Sequence, residues 1–158
     1  MININYIKGD IFDSNIGGRK ILVHVVNDLG IMGAGIALAI RNKWPIVYDK
    51  YKKWATGYIT TVPFQLGEVQ FVNVERNLVV ANMVGQQGIG YKSGKPPVKY
   101  DAIDSCLKKV AEIAKKYNSV VIGPKFGAGL AHGDWNTIEQ MIIKNMCEKD
   151  IEVNIYEL

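Results

Sequence analysis

Cysteine is scarce in this chain, which has only two, Cys106 and Cys147. Both lie in segments with helical periodicity and neither has metal-ligand or redox spacing, so we expect buried free thiols and no disulfide framework. No apolar run approaches the ~20 residues that a membrane-spanning helix needs. The N-terminal segment MININYIKGD lacks the basic stretch and apolar core of a signal peptide. These absences predict a cytoplasmic protein that makes no membrane contact.

Several common catalytic and cofactor patterns are also missing. No group of His, Cys, Asp and Glu has convincing metal-ligand spacing. Gly33 and Gly35 form a G-x-G, but Leu38 occupies the third glycine position of a dinucleotide-binding loop. Neither cysteine is followed by the phosphate loop and arginine of a cysteine-dependent phosphatase. We therefore predict no metal and no cofactor, and any catalysis would use positioned acid/base groups and backbone electrostatics.

The size and composition that are present suit one globular domain. The chain has 158 residues, of which 48% are hydrophobic and 22% charged. A chain of this length can form one substantial hydrophobic core but is too short to form two. We therefore expect a single domain over residues 1–158, as a monomer. The net charge of +4 is spread over predicted helical faces. It favours an anionic small molecule and leaves weak contact with nucleic acid open.

Strand and helix patterns alternate along the chain. The segment KILVHVV at 20–26 is almost continuously apolar, which is typical of a strand covered on both faces. Segments 67–73 and 77–84 predict an antiparallel hairpin with a tight turn at 74–76. Further strands are predicted at 2–7, 120–122 and 151–156, and helices at 34–42, 45–55, 100–117 and 135–147. The alternation predicts an α/β protein, a three-layer α/β/α sandwich with a mixed central sheet.

Two glycine-rich loops each follow an apolar strand and precede a helix. The first lies within HVVNDLGIMGAGIA at 24–37, and the second is PKFGAGLAHGDW at 124–135. Glycine lets the backbone approach a ligand closely, and the N–H groups of a helix's first turn point at an anion in front of it. Two such loops at the strand ends could hold a diphosphate from both sides. The Gly-, Lys- and Pro-rich segment 85–99 predicts a mobile loop at the same strand ends.

Each polar candidate near these loops has two interpretations. Asp10 follows the first strand and either bonds a ligand amine or caps a turn. His24, inside an apolar strand, is more typical of a hydrogen-bonded core histidine than of a catalytic one. Turn chemistry alone could account for Asn27. His132 is an acid/base candidate or a surface residue, and Asp134 is more typical of a helix N-cap.

The combination is more specific than its parts. Four segments together resemble the macrodomain family of ADP-ribose-binding modules, and the resemblance runs nearly end to end. Within that family the chain looks most like the branch of ADP-ribose 1″-phosphate phosphatases and terminal ADP-ribose protein glycohydrolases. The segments are KGDIFD at 8–13, HVVN with GIMGAGIA at 24–37, NMVGQ at 82–86 and GPKFGAGLAHGDW at 123–135.

The resemblance implies a role for each matched position. Asp10 would bond the adenine amino group, and Ile11 would supply a backbone N–H. Asn27 would contact the distal ribose, and Met83 would lie on the strand lining the adenosine side. The two diphosphate loops would be Gly33, Ala34, Gly35 and Ile36, and Gly127, Ala128, Gly129 and Leu130.

The chain departs from the glycohydrolases of this branch at two positions. They carry an attacking lysine after the strand matching 78–84, where this chain has VGQQ, and an aspartate where it has Ala131. Lys92, Lys95 or Asp134 would substitute only if the loop folds back. The departure favours a phosphatase that binds ADP-ribose 1″-phosphate and hydrolyses its monoester with water. Its acid/base candidates are His24, His132 and Asp134. A glycohydrolase acting on ADP-ribosylated protein or nucleic acid, and a non-catalytic ADP-ribose reader, stay open.

Overall fold

The computed structural model describes residues 2–90, 94–129 and 131–158. It has a six-stranded sheet in the order β1-β6-β5-β2-β4-β3. The strands are β1 Asn5–Lys8, β2 Lys20–Asn27, β3 Val69–Glu75, β4 Leu78–Gln86, β5 Val120–Gly123 and β6 Val153–Glu157. The helices are α1 Gly35–Lys43, α2 Pro45–Ala55, α3 Tyr100–Tyr117 and α4 Trp135–Asn145. The predicted α/β class with a mixed sheet is confirmed.

The central strand β2 is covered on both faces, as its apolar run predicts. Ile21 and Val23 pack in the core beneath α3 and α4, while Leu22 and Val26 pack in the core beneath α1 and α2. All four side chains are at most 2% exposed. The two cores lie on opposite faces of one sheet, which gives the three layers of the sandwich.

The hairpin of β3 and β4 differs from its prediction in the bounds of both strands. β3 continues to Glu75, with a register shift after Asn73, and the turn passes through Asn77 at φ 62°. β4 continues to Gln86, so the predicted loop at 85–99 begins too early. The reason is tertiary: Asp28 donates its N–H to the Gln86 carbonyl at 3.0 Å, and Lys99 donates to the Gly85 carbonyl at 2.8 Å.

The C-terminal third follows its pattern with one correction. The apolar stripe of α3 buries against the sheet over the predicted 100–117. The helix predicted at 135–147 ends at Asn145, and a 3-10 turn at Cys147–Lys149 follows. Cys106 and Cys147 are both buried free thiols, as expected, and burial raises the pKa of Cys106 to about 12. Among the described residues, no helix combines the length and the apolarity required to cross a membrane.

Candidate functional site

The candidate site lies where the parallel strands end. β1, β6, β5, β2 and β4 run in the same direction, so their carboxyl ends meet at one edge of the sheet. At that edge the chain leaves β2 for α1 on one face and leaves neighbouring β5 for α4 on the other. Divergent connections between adjacent parallel strands open a crevice, which is the usual ligand position in such sheets.

A cleft with two adjoining lobes fills this crevice. The first lobe, of about 230 Å³, and the second, of about 170 Å³, share Val25, Ile36 and Gln86 as lining residues. The first lobe is also lined by Gly35, Pro124, Lys125, Phe126, Gly127, Gly129 and Ala131, and the second by Asn27, Ile31, Gly33, Ala34 and Ile89. Both glycine-rich loops therefore border one cleft. A larger groove of about 720 Å³ lies along β3, away from both loops.

The first loop turns sharply into α1. Ala34 is the N-cap residue in extended conformation, and Gly35 begins the helix at φ 59°, a left-handed conformation that side chains rarely adopt. The first bond of the helix runs from the Leu38 N–H to the Ala34 carbonyl at 3.2 Å. The preceding N–H groups, at Gly35 to Ala37, have no intrahelical acceptor and lie beside the two lobes. This helix terminus favours an anion in the cleft.

The second loop is closed by a backbone bond. The Gly133 N–H donates to the Gly127 carbonyl at 2.7 Å, and Ala128 N–H donates to the Lys125 carbonyl at 3.4 Å. Gly127 has φ 76°, and its missing side chain leaves room for the Ile138 methyl group. Phe126 packs edge-on against Trp135 at 5.7 Å between ring centroids. The loop is thereby anchored to the start of α4.

Asn27 lines the second lobe, but most of its amide group is used within its own loop. Its Oδ1 accepts from the N–H groups of Leu29 at 3.0 Å and Ile31 at 3.3 Å, and its Nδ2 donates to the Ile31 carbonyl at 2.8 Å. These bonds define the turn chemistry that the sequence suggested. Contact with a distal ribose stays a prediction and would use the second Nδ2 hydrogen.

His24 does not lie in the cleft, which contradicts its place among the acid/base candidates. Its side chain has no exposed surface and faces α2 from the middle of β2. Nε2 lies 2.6 Å from Asn82 Oδ1, Asn82 Nδ2 donates to Gln70 Oε1 at 3.1 Å, and Gln70 donates to the Lys50 carbonyl at 2.9 Å. His24 is the hydrogen-bonded core histidine of the alternative interpretation.

The burial of His24 predicts a pH dependence of stability. Burial lowers its pKa from 6.5 to about 4, while the hydrogen bond to Asn82 opposes that change. As the pH falls below 6.5, His24 binds a proton in the unfolded chain but stays neutral in the folded chain. The free energy of unfolding therefore decreases between pH 6.5 and 4. From pH 7 to pH 5 we expect a loss of about 2 kcal/mol from this group.

Urea unfolding at several pH values of the wild type and of His24→Gln measures this contribution. The neutral glutamine removes the titration, so the free energy of unfolding should vary less with pH in the variant over this interval. Equal pH dependence of the two proteins would contradict the assignment.

The other acid/base candidates border neither lobe. His132 is exposed at φ 58° and donates its N–H to the Gly129 carbonyl at 3.0 Å. Asp134 is the N-cap of α4, where its carboxylate accepts from Asn136 N–H at 3.3 Å and from the Thr137 hydroxyl at 2.8 Å. The N-cap interpretation of Asp134 is confirmed. His132 is the candidate nearer to the cleft along the loop, because Ala131 lines the first lobe.

The predicted adenine end lies after β1. Asp10 Oδ1 accepts from the Phe12 N–H at 2.9 Å and caps a 3-10 turn at Ile11–Asp13, which confirms the turn-cap interpretation. The capping bond uses one carboxylate oxygen, so a ligand amine and the cap are compatible. The expectation that Met83 contacts the ligand is wrong for its side chain. That side chain is fully buried in the core that contains Ile103, so it lines no surface on the adenosine side.

The sequence did not predict every residue that lines the cleft, and some residues that it did single out lie outside the cleft. Gln86 borders both lobes, and its Nε2 donates to the Gly88 carbonyl at 3.0 Å. Lys95 lines a separate groove near the start of α3. Leu130 and Lys92 lie outside the described residues. Within 2–90, 94–129 and 131–158, no three His, Cys, Asp or Glu side chains are grouped to hold a metal ion.

Fold and cleft together define an α/β/α module with a ligand crevice between two glycine loops, and comparison with known proteins identifies the family. No family model matches the chain. A macrodomain protein from Streptomyces coelicolor is 35% identical over 99% of both chains, with a TM-score of 0.85. The chain therefore belongs to the macrodomain family, which confirms the resemblance found in its motifs.

Other likenesses differ in how much of the other protein they cover. A protein of unknown function from Bacteroides thetaiotaomicron is 42% identical over 99% of both chains, with a TM-score of 0.94. An ADP-ribose 1″-phosphate phosphatase from Meyerozyma guilliermondii is 25% identical over 99% of both chains. A DNA ADP-ribosyl glycohydrolase from Mycobacterium tuberculosis is 24% identical over 97% of this chain and 42% of that protein.

Proposed function

We propose that the protein binds ADP-ribose in this cleft and hydrolyses the phosphate monoester of ADP-ribose 1″-phosphate. The observation that carries the proposal is the meeting of both glycine loops at one crevice, beside the N-terminus of α1. Backbone N–H groups at such a site suit a diphosphate. The end-to-end similarity to a phosphatase of this substrate supports the same reaction.

In this proposal the two loops hold the diphosphate and water attacks the phosphorus. Asp10 and Ile11 bond the adenine from the end of β1. The matched residues of the two loops contact the diphosphate and the distal ribose. His132 is the acid/base residue to test, because its loop lines the first lobe and histidine is the side chain that most often serves as a general acid or base.

A glycohydrolase is the second candidate, and the Mycobacterium tuberculosis relative favours it. ADP-ribosylated protein or nucleic acid would then be the partner. The residues lining the cleft argue against it, since Ala131 borders the first lobe where the resembling glycohydrolases place an aspartate. Gly85 and Gln86 stand where those enzymes carry a lysine. The cytoplasmic location and the monomeric state stay predictions.

ADP-ribose should raise the thermal stability of the protein. A ligand that binds only the folded state adds about 2.7 kcal/mol at 100 times its dissociation constant. For a domain of this size the melting midpoint then rises by roughly 5 to 10 °C. AMP should raise it less, because it lacks the distal ribose and one phosphate. Differential scanning fluorimetry measures both, and no shift at millimolar ADP-ribose would contradict the proposal.

The activity is separated from its alternatives by incubating the protein with ADP-ribose 1″-phosphate and with ADP-ribosylated protein or DNA, each with and without EDTA. Phosphate release that persists in EDTA supports the metal-free phosphatase. Release of ADP-ribose from the macromolecules, or a borohydride-trapped lysine adduct, supports the glycohydrolase. Binding without turnover identifies a reader.

A further inference from the structure

One tyrosine of α2 connects that helix to the first loop. Tyr51 is fully buried, and its hydroxyl oxygen lies 2.6 Å from the Asn27 carbonyl oxygen and 2.8 Å from Asn27 Oδ1. The same hydroxyl accepts from the Gly30 N–H at 3.2 Å. A single O–H group therefore reaches both ends of the turn at 27–30. Its hydrogen is shared between two acceptors of Asn27, and its lone pair serves Gly30.

The turn also packs against α2 at van der Waals distance. Gly30 has φ 80°, and a Cβ atom built on it would lie 2.8 Å from the Ala55 Cβ. Real Cβ contacts are not this short, so the backbone of the turn approaches α2 as closely as glycine allows. Tyr51 and Ala55 lie four residues apart on the same face of the helix. The turn is thus held by a hydrogen bond and by a close contact from one element.

Two further contacts fix the rest of the first loop. Arg41 Nη1 lies 3.4 Å from the Met32 carbonyl oxygen, and its guanidinium group stacks on Tyr48 at 3.6 Å from the ring centroid. Asp28 Oδ1 accepts from the Gly88 N–H at 2.8 Å, which ties the turn to the segment after β4. The loop that borders the second lobe is therefore set by side chains outside the lobe. Tyr51 is the fully buried one among them.

We infer that Tyr51 is a positioning residue for the distal half of the ligand site. The inference rests on the proposed ADP-ribose binding. Tyr51 lines neither lobe, so it acts through the turn at 27–30 and the loop at 33–36 that follows. Without its hydroxyl the Gly30 N–H loses its acceptor, and the turn samples other conformations. Only the fraction of molecules with the bound conformation then binds tightly.

Tyr51→Phe tests the inference, because phenylalanine keeps the buried ring and removes only the hydroxyl. Calorimetry should show an affinity for ADP-ribose weaker by about 10-fold, the order expected for one lost buried hydrogen bond. The affinity for AMP, which lacks the distal half, should change by less than about 2-fold. Tyr156→Phe is the matched control, since its part-buried hydroxyl bonds Ser14 Oγ at 2.7 Å. It should leave the ratio of the two affinities unchanged.

Hydrogen exchange at the Gly30 amide supplies a readout that needs no ligand. Exchange should be faster in Tyr51→Phe than in the wild type and in Tyr156→Phe. Unchanged exchange at Gly30 would overturn the inference. So would an unchanged ratio of the two affinities, which includes equal weakening of both ligands. If the wild type binds neither ligand, the proposed function fails, and exchange at Gly30 still shows whether Tyr51 holds the turn.

Discussion

The Gly35→Val variant is expected to bind no ADP-ribose at concentrations that saturate the wild type. Gly35 adopts φ 59°, where a β-branched residue is strongly disfavoured. It also lines the first lobe at the start of α1, so the valine methyl groups would enter the space beside the N–H groups of that helix. The backbone strain at residue 35 and the bulk of the valine side chain would therefore both disturb the start of α1, where the ligand is expected to bind.

Calorimetry with ADP-ribose, accompanied by circular dichroism, separates loss of the site from loss of the fold. Gly17→Val is the matched control, because a Cβ at that exposed position meets no atom within 4 Å and its φ is not left-handed. The control should bind like the wild type. A folded Gly35→Val protein with wild-type affinity would show that the ligand does not use the first loop.

The Gly133→Ala substitution should disrupt the second loop by a different route. A Cβ on Gly133 would collide with the Gly127 carbonyl oxygen, which is the acceptor of the Gly133 N–H. The Gly127 oxygen belongs to the backbone and cannot rotate away, so the loop must open to relieve the contact. We expect ADP-ribose affinity to fall on the order of 100-fold, equivalent to about 3 kcal/mol.

The same titration on Gly17→Ala provides the control for Gly133→Ala, as a glycine-to-alanine change in open space. Near-wild-type affinity of Gly133→Ala would mean that the second loop does not close on the ligand. A lowered melting midpoint with retained affinity would assign Gly133 to stability alone.

The sheet was predictable from sequence where burial alone decides structure. β2 is apolar at nearly every position because both of its faces are covered, and α3 has a stripe long enough to specify a helix. The end of β4 was not predictable in the same way. Gly85 and Gln86 look like the start of a loop, and they extend the strand because Lys99 and Asp28 donate to their carbonyl groups.

The candidate site divides along similar lines. The glycine loops have a local signature, since left-handed and closely packed backbone requires glycine at particular positions. The acid/base residues have none, because whether His24 faces the core or the cleft depends on neighbours distant in sequence. The role of Tyr51 also cannot be recognised from the sequence. Along α2 it has the spacing of any buried helical residue, and only its hydroxyl contacts reveal a second role.

The strand order has a consequence for synthesis on the ribosome. β2 pairs with β4 and with β5, so Lys20 lies beside both Leu78 and Val120. The first glycine loop emerges early, but its opposite wall, around Gly127, is made roughly a hundred residues later. Such distant pairing delays folding until both partners exist. A nascent chain therefore has no complete cleft before the second loop has left the exit tunnel. ADP-ribose cannot assist folding of the early strands by binding there.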